Sequence, residues 1–417
     1  MKANIQYLDL FAGAGGLSEG FKRTGNYRPI AHIEMNKHAC DTLKSRLAYY
    51  YLQENNRTEF YYDYLRNNIS RDKLWKAIPQ NILESVLNTE LSENNLEEVF
   101  EKVDKLVADS ETKTIDLVIG GPPCQAYSIM GRSVSSNGMK DDPRNYLYKL
   151  YVKFISYYSP KVFIFENVPG LLTAGNGLIL SDIIESFKNI GYNLEYKILD
   201  SANFGVLQNR KRVIIIGWKK GLNFSYPKFK DVYNSNITVN SILEDLAAVP
   251  INSTNNTYIK EPNEYLVRSG IRDDNSPLTW HTVRYTNSND RKIYREVIER
   301  WNTYGERLKY DMLPESLITH QNKKSFLDRF KVLGANLPTS HTMIAHIAKD
   351  GHYFIHPDIK QCRSISVREA ARIQSFPDNY FFEGPRTSAF TQIGNAVPPL
   401  MAYYIADKLK EFFTKED

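Results

Sequence analysis

Cys124 stands behind two prolines in Gly120-Gly121-Pro122-Pro123-Cys124-Gln125, at the end of an apolar run, Ile115–Ile119, that reads as a strand. The prolines fix the backbone, and open α/β sheets place their sites at the carboxyl edge of the strands. A thiol presented rigidly at that edge is a candidate nucleophile. Lone cysteines are more often inert core residues, and Cys40 and Cys362 are expected to be of that kind. Glu166 holds the same relation to its own run, Val162–Phe165, so its carboxyl would reach the same crevice. Arg210 and Arg212 flank Lys211 and point the same way if the backbone is extended; there they could hold an anion or a carbonyl oxygen. Ala12-Gly13-Ala14-Gly15-Gly16 follows the strand Tyr7–Phe11. Such a turn lets a ligand approach the backbone and a helix N-terminus. Glu34 ends the next strand, about 20 residues on, where an acid can accept hydrogen bonds from ribose hydroxyls. Together these point to an adenosine-containing cofactor.

The elements that must carry these residues are short apolar runs alternating with helical patterns, which predict a parallel sheet. Tyr7–Phe11, Ile30–Ile33, Ile115–Ile119, Val162–Phe165 and Val213–Gly217 are the expected strands, and a helix is expected from the glycine turn through Phe21. Residues from Ser45 to Thr114 are charged and Asn-rich with helical periodicity, as in Leu74–Leu87 and Leu96–Val107, and read as an insertion. After Trp218 the chain turns to Asn, Tyr, Arg and His with weak periodicity, which marks a second domain. Helical patterning returns at Ser366–Gln374 and Pro399–Phe412. The domains expected are therefore residues 1–218 with the insertion at about 45–114, residues 219–386, and a terminal segment, 387–417, returning to the first domain.

Composition excludes several classes. Hydrophobic residues make up 42% of the chain, enough for a large core, so disorder as the main state is excluded. Lys and Arg number 53 against 48 Asp and Glu, and the net +5 permits a nucleic-acid partner without demanding one. Three cysteines cannot build a disulfide framework and fit a reducing cytoplasm. No apolar run approaches a membrane span, and the first residues lack a signal-peptide pattern.

In combination the motifs resemble the DNA cytosine-5 methyltransferases. The matching pieces are Asp9-Leu10-Phe11-Ala12-Gly13-Ala14-Gly15-Gly16, Gly121-Pro122-Pro123-Cys124-Gln125, Glu166-Asn167-Val168, Gln208-Asn209-Arg210-Lys211-Arg212, the run from Arg363 to Gln374, and Gln392-Ile393-Gly394-Asn395. Six pieces in the family's order leave little room for coincidence. The resemblance implies a Rossmann-like α/β fold that uses S-adenosylmethionine, with a smaller target-recognition domain. It also implies Cys124 as the nucleophile on cytosine C6, Glu166 at N3, Arg212 at O2 and Arg210 orienting Glu166. For the cofactor it implies Phe11 on the adenine and Glu34 on the ribose. Ala12, Gly13, Gly15, Gly16, Met35, Pro122, Leu147 and Asn395 complete the pocket. The family's third acidic cofactor residue ends the third strand; Asp63 is the candidate here and Asp104 the alternative. The loop from Ser128 to Asn145, with Gly131, Arg132, Gly138 and Arg144, would close on DNA.

The implied partner is double-stranded DNA, read by a monomer paired in function with a cognate restriction endonuclease. The Arg, Asn, Tyr and Lys of the second domain suit phosphate and base contacts. His346 to His356 could suggest zinc, but no cysteine pair or carboxylate cluster supports it, so no metal is expected. The competing readings are an RNA cytosine-5 methyltransferase, an inactive DNA-binding relative, and a dehydrogenase. The large second domain speaks against the first. Cys124, Glu166 and Arg212 together speak against the second. The dehydrogenase leaves Cys124 unexplained.

Overall fold

The computed structural model describes residues 4–123, 147–321 and 326–414. Cys124 and the whole Ser128–Asn145 stretch lie outside the described residues. β1 (Ile5–Leu10), β2 (Tyr27–Glu34), β3 (Val86–Asn88), β4 (Leu117–Gly120), β5 (Val162–Asn167), β6 (Tyr192–Asp200) and β7 (Lys211–Lys219) form one sheet in the order β3-β2-β1-β4-β5-β7-β6. β1 to β5 pair in parallel, and β7 runs antiparallel between β5 and β6. β4, β5 and β7 carry near-continuous apolar runs, as strands covered on both faces do. β6 is different: it is an edge strand with Tyr196 and Ile198 exposed and the charged Glu195 and Lys197 beside them. Charged residues on an edge discourage further pairing.

The helices among the described residues are α1 (Gly16–Arg23), α2 (Lys37–Glu54), α3 (Thr58–Leu65), α4 (Arg71–Lys76), α5 (Gln80–Glu84), α6 (Leu96–Ala108), α7 (Leu147–Tyr158), α8 (Leu178–Asn189), α9 (Glu264–Arg268), α10 (Ser288–Tyr304), α11 (Val367–Ile373), α12 (Arg386–Asn395) and α13 (Pro399–Phe413). α6, α7 and α8 cover one face of the sheet through Val99, Val103, Tyr151, Phe154 and Ile183. α1 and α13 cover the other through Leu17, Phe21, Met401, Ile405 and Leu409. α13 sits close on α1 because Gly20 has no side chain: an added Cβ would lie 2.4 Å from the Ala402 Cβ. The Tyr27 hydroxyl donates to the Ala406 carbonyl at 2.8 Å and ties the last helix to β2.

The remaining chain builds two further cores. One joins Val239–Leu243, Tyr265–Leu266, Leu333, Met343 and Phe354 to α11, Phe376–Phe382 and α12, and reaches Ala14 and Leu207 of the sheet unit. The other packs α10 against Leu308–Leu317, Phe330, Val332 and Ile355. α11 is charged yet buried. Arg368 donates to the carbonyls of Thr279, Pro377 and Tyr380, Arg372 pairs with Asp245 and Asp378, and Glu369 pairs with Arg363. These ion pairs are buried and multiply hydrogen-bonded, the condition under which a buried charge is tolerated.

The expected insertion needs correction. Within residues 45–114 lie β3, which pairs with β2, and α6, which packs on the sheet core. Only α3 to α5 form an excursion, whose Tyr61, Tyr64 and Leu74 pack on Tyr49 of α2. The single helix read over Leu74–Leu87 is divided among the end of α4, α5 and β3, with Pro79 between the helices. The terminal segment also divides: α12 belongs to the second core, and the chain reaches the sheet core at Val397.

Candidate active site

The carboxyl edge of the sheet brings together residues far apart in sequence. β4 leaves the sheet at Gly120, whose φ of 148° and closeness to the Leu10 carbonyl (2.0 Å from an added Cβ) exclude any side chain. Gly121 then lies against β5, where an added Cβ would be 2.5 Å from Glu166 Oε2. Asn167, 1% exposed, accepts from the Val168 N–H at 2.9 Å and donates Nδ2 to the Pro122 carbonyl at 3.3 Å. The segment leading to Cys124 is thus seated on Glu166 and Asn167. Sequence reading quoted Asn167 without a role; only the folded register shows this bond.

Glu166 pairs with Arg212, Nε to Oε1 at 2.7 Å. β7 runs antiparallel beside β5, so the start of β7 meets the end of β5. The two side chains are 12% and 15% exposed, reachable from the crevice but largely withdrawn from water. Arg210 takes another direction, a correction to its expected role. It lies just before β7, outside the strand alternation, and is 1% exposed. Its guanidinium donates to the carbonyls of Met343 (2.6 Å) and Gly394 (3.1 Å), and Arg212 is the arginine on Glu166.

The glycine turn shows the features of a ligand cradle. Phe11 is held at φ 57°, a left-handed conformation that a bulky residue rarely adopts, and such outliers gather at ligand sites. Gly13, at φ 54°, has open space where a Cβ would stand. Glu34 receives the Gly13 N–H at 2.8 Å and the Asn36 N–H at 2.7 Å, one on each oxygen, which fixes the carboxylate beside the turn. Each oxygen keeps a lone pair for a ribose hydroxyl. Asp9, 1% exposed under the turn, has neither oxygen hydrogen-bonded among the described residues. Burial, aided by the negative charge of Glu34, holds its carboxyl well above the ordinary range. Phe11 and Leu147, the first residue of α7, both pack on the core beneath this edge. Ala12 donates its N–H to the Ile33 carbonyl, and Met35 is exposed. Gly15 caps α1 at φ 75°, and Gly16 lies under Ala396 and Val397, with Asn395, exposed, ending α12 beside them.

Asp63 is corrected. It sits in α3 of the helical excursion and accepts from Asn68 Nδ2 at 3.0 Å. Glu59–Tyr62 before it are helical rather than a strand. Asp104 lies in α6 and accepts from the Tyr157 hydroxyl at 2.7 Å. The strand beside β2 ends at Asn88, whose Nδ2 donates to the carbonyls of Glu34 (3.2 Å) and Met35 (2.9 Å). Three residues of strand leave almost no sequence signal.

Among the described residues no group of three or more His, Cys, Asp and Glu could hold a metal. The histidines of the second unit make local bonds: His346 Nε2 lies 3.2 Å from Asp350, His352 Nδ1 bonds the Tyr294 hydroxyl, and His356 Nδ1 accepts from the Asp358 N–H. Cys40 and Cys362 are free and buried, and burial pushes the Cys40 thiol up to about 12, away from reactivity. No helix among the described residues is long and apolar enough to cross a membrane.

Comparison with known proteins places the whole chain. The family model for C-5 cytosine-specific DNA methylase matches residues 5–79 and 82–411. A type II methyltransferase of Bacillus paralicheniformis is 42% identical over 442 residues, covering 97% of this chain and 98% of the relative. One from Haemophilus parahaemolyticus is 28% identical over 425 residues, covering 99% and 88%. In fold, the chain is similar to the crystal structure of a candidate DNA modification methyltransferase encoded within an E. coli prophage. The TM-score is 0.64 at 23% identity, with 98% and 99% of the two chains covered.

Proposed function

Because the chain belongs to the C-5 cytosine-specific DNA methylase family and is therefore a DNA cytosine-5 methyltransferase, we propose that it methylates C5 of a cytosine flipped out of duplex DNA, through a covalent bond from Cys124 to C6. The observation that carries this reading is the Glu166–Arg212 pair at the carboxyl edge, with the Gly121-Pro122 segment seated on it.

Cytosine C5 is a weak nucleophile. Addition of the Cys124 thiolate to C6 makes the ring an enamine whose C5 carries the electron density. Charge then builds on N3 and O2. Glu166, protonated or hydrogen-bonded, serves N3, and Arg212 holds O2. S-adenosylmethionine, when bound, supplies an electrophilic methyl carbon. The open space at Gly13, the fixed Glu34 carboxylate and the strained Phe11 suit its adenosine, with Ala12, Gly15, Gly16, Met35, Pro122, Leu147 and Asn395 around it. A base then removes the C5 proton, the electrons return to the ring and the Cys124–C6 bond breaks. None of this fits inside a stacked duplex, hence the flipped base.

Residues 219–386 would read the DNA sequence. The similarity to type II methyltransferases supports a place as the modification enzyme of a restriction-modification system, with a cognate endonuclease. Bisulfite sequencing of DNA from cells expressing the chain tests the reading. One sequence context should carry protected cytosines, and conversion at every site would refute it.

A further inference from the structure

α12 ends at Asn395 in a situation its own sequence does not resolve. A helix leaves its last carbonyls unbonded. The residues that follow, Ala396-Val397-Pro398-Pro399, include two prolines without an N–H. The Ala396 N–H reaches back to the Ile393 carbonyl at 3.3 Å, and two distant side chains supply the remaining donors. Gln374, fully buried, donates Nε2 to Ile393 at 2.7 Å and to Ala396 at 3.3 Å, and Arg210 donates to Gly394 at 3.1 Å.

The same side chains grip the second unit. Gln208 Nε2 donates to Gln374 Oε1 at 2.8 Å, while Gln208 Oε1 accepts the Met343 N–H at 2.7 Å. Arg210 holds the Met343 carbonyl at 2.6 Å. Gly394 lies directly on this segment, where an added Cβ would be 2.3 Å from the Ala345 nitrogen. Beyond Asn395 the chain presses on the glycine turn, where a Cβ on Gly16 would be 2.2 Å from the Val397 carbonyl.

We propose that Gln374 and Arg210 are positioning residues: acting as the C-terminal cap of α12, they fix Asn395 at the cofactor site and anchor it to Met343 through Gln208. The proposal rests on the reading of Asn395 as a cofactor contact.

The test compares Gln374→Met, which keeps length and removes both donors, with Gln374→Glu, which keeps the acceptor for Gln208 and loses the donors to Ile393 and Ala396. Calorimetry with S-adenosylmethionine should show about tenfold weaker binding for both. KM for the cofactor should rise in step, with a much smaller change in kcat and the same DNA target. A role confined to stability would lower kcat and leave KM alone. Unchanged cofactor affinity in either folded variant, or a loss in kcat alone, overturns the proposal. Asn395→Ala is measured beside them. If it leaves affinity intact, the reading of Asn395 is wrong and the proposal falls with it. If it weakens binding and the Gln374 variants do not, only the positioning role is lost.

Discussion

Arg212 reaches Glu166 and Arg210 does not, though one residue separates them, and the reason is where β7 begins. Strand alternation holds only inside a strand, and Arg210 stands before it, with its backbone N–H on the Asp200 carboxylate at 3.0 Å. Residue types therefore revealed the chemistry better than side-chain directions. Glu34, Gly13 and Glu166 lie where their spacing implied, because strand ends on a parallel sheet share one edge. Asp63 lies elsewhere, because Glu59–Tyr62 can serve helix or strand and tertiary packing of its tyrosines chose helix. Glu166→Gln keeps the size of the side chain and removes the carboxyl that can carry a proton to N3. Single-turnover methylation should lose about 2–4 kcal/mol of transition-state stabilisation, with little change in cofactor affinity by calorimetry. An undiminished rate would mean that Glu166 does not act on the ring.

Among elements, the long apolar strands and the helices α1, α11 and α13 were legible, whereas α2 and α10, though capped by Asn36 and Asn287, were not. Ser366 and Glu369 form a capping box at the start of α11, and the apolar pattern of α13 demanded a core. β6 was not, since a largely exposed edge strand that mixes Asn193, Glu195 and Lys197 with its apolar residues has no continuous apolar run. α12 was missed for a related reason: Thr387, Gly394 and a start at Pro385 read as loop, and its stability comes from the core that receives Ala389, Phe390 and Ile393. The seam between α1 and α13 depends on Gly20. Its replacement by Ala would drive a methyl into Ala402 and the Tyr403 backbone, 2.4 Å away. Gly20→Ala should destabilise the protein by about 1–3 kcal/mol in urea denaturation. A midpoint equal to that of the parent would show that the seam yields without cost.

The whole molecule carries several imidazoles that folding keeps neutral. Burial lowers His32 and His356 to about 4 from 6.5, with the charges of Lys22 and Arg363 next in effect. Between those values the unfolded chain binds more protons than the folded one, so stability rises with pH through about 4 to 6.5 and levels off above. Each group contributes on the order of 3 kcal/mol. Glu369 acts in the same sense at lower pH: burial opposes its charge, but Arg363 overcomes burial and holds the carboxyl below its usual range. Urea midpoints should climb from pH 5 to pH 7 and then flatten. His356→Gln should reduce the slope if it folds, and a level profile in the parent would contradict the burial argument. None of the residues proposed for catalysis lies within 219–361. Exchanging them with a relative of different target should change the methylated sequence and spare the chemistry, as read by bisulfite sequencing. A folded, active chimera keeping the old target would place recognition elsewhere.

Covalent catalysis by Cys124 is the claim on which the account turns, and a duplex carrying 5-fluorocytosine at the target position tests it most directly. Fluorine cannot leave C5 as a proton does, so the Cys124–C6 bond should persist after methyl transfer. Denaturing electrophoresis should then show a stable protein–DNA adduct that requires S-adenosylmethionine, with the crosslink mapped to the Cys124 peptide by mass spectrometry. Cys124→Ala should give no adduct and no methylation while still binding the same DNA. A Cys124→Ala protein that methylates at the parental rate, or an adduct on another residue, would contradict the account.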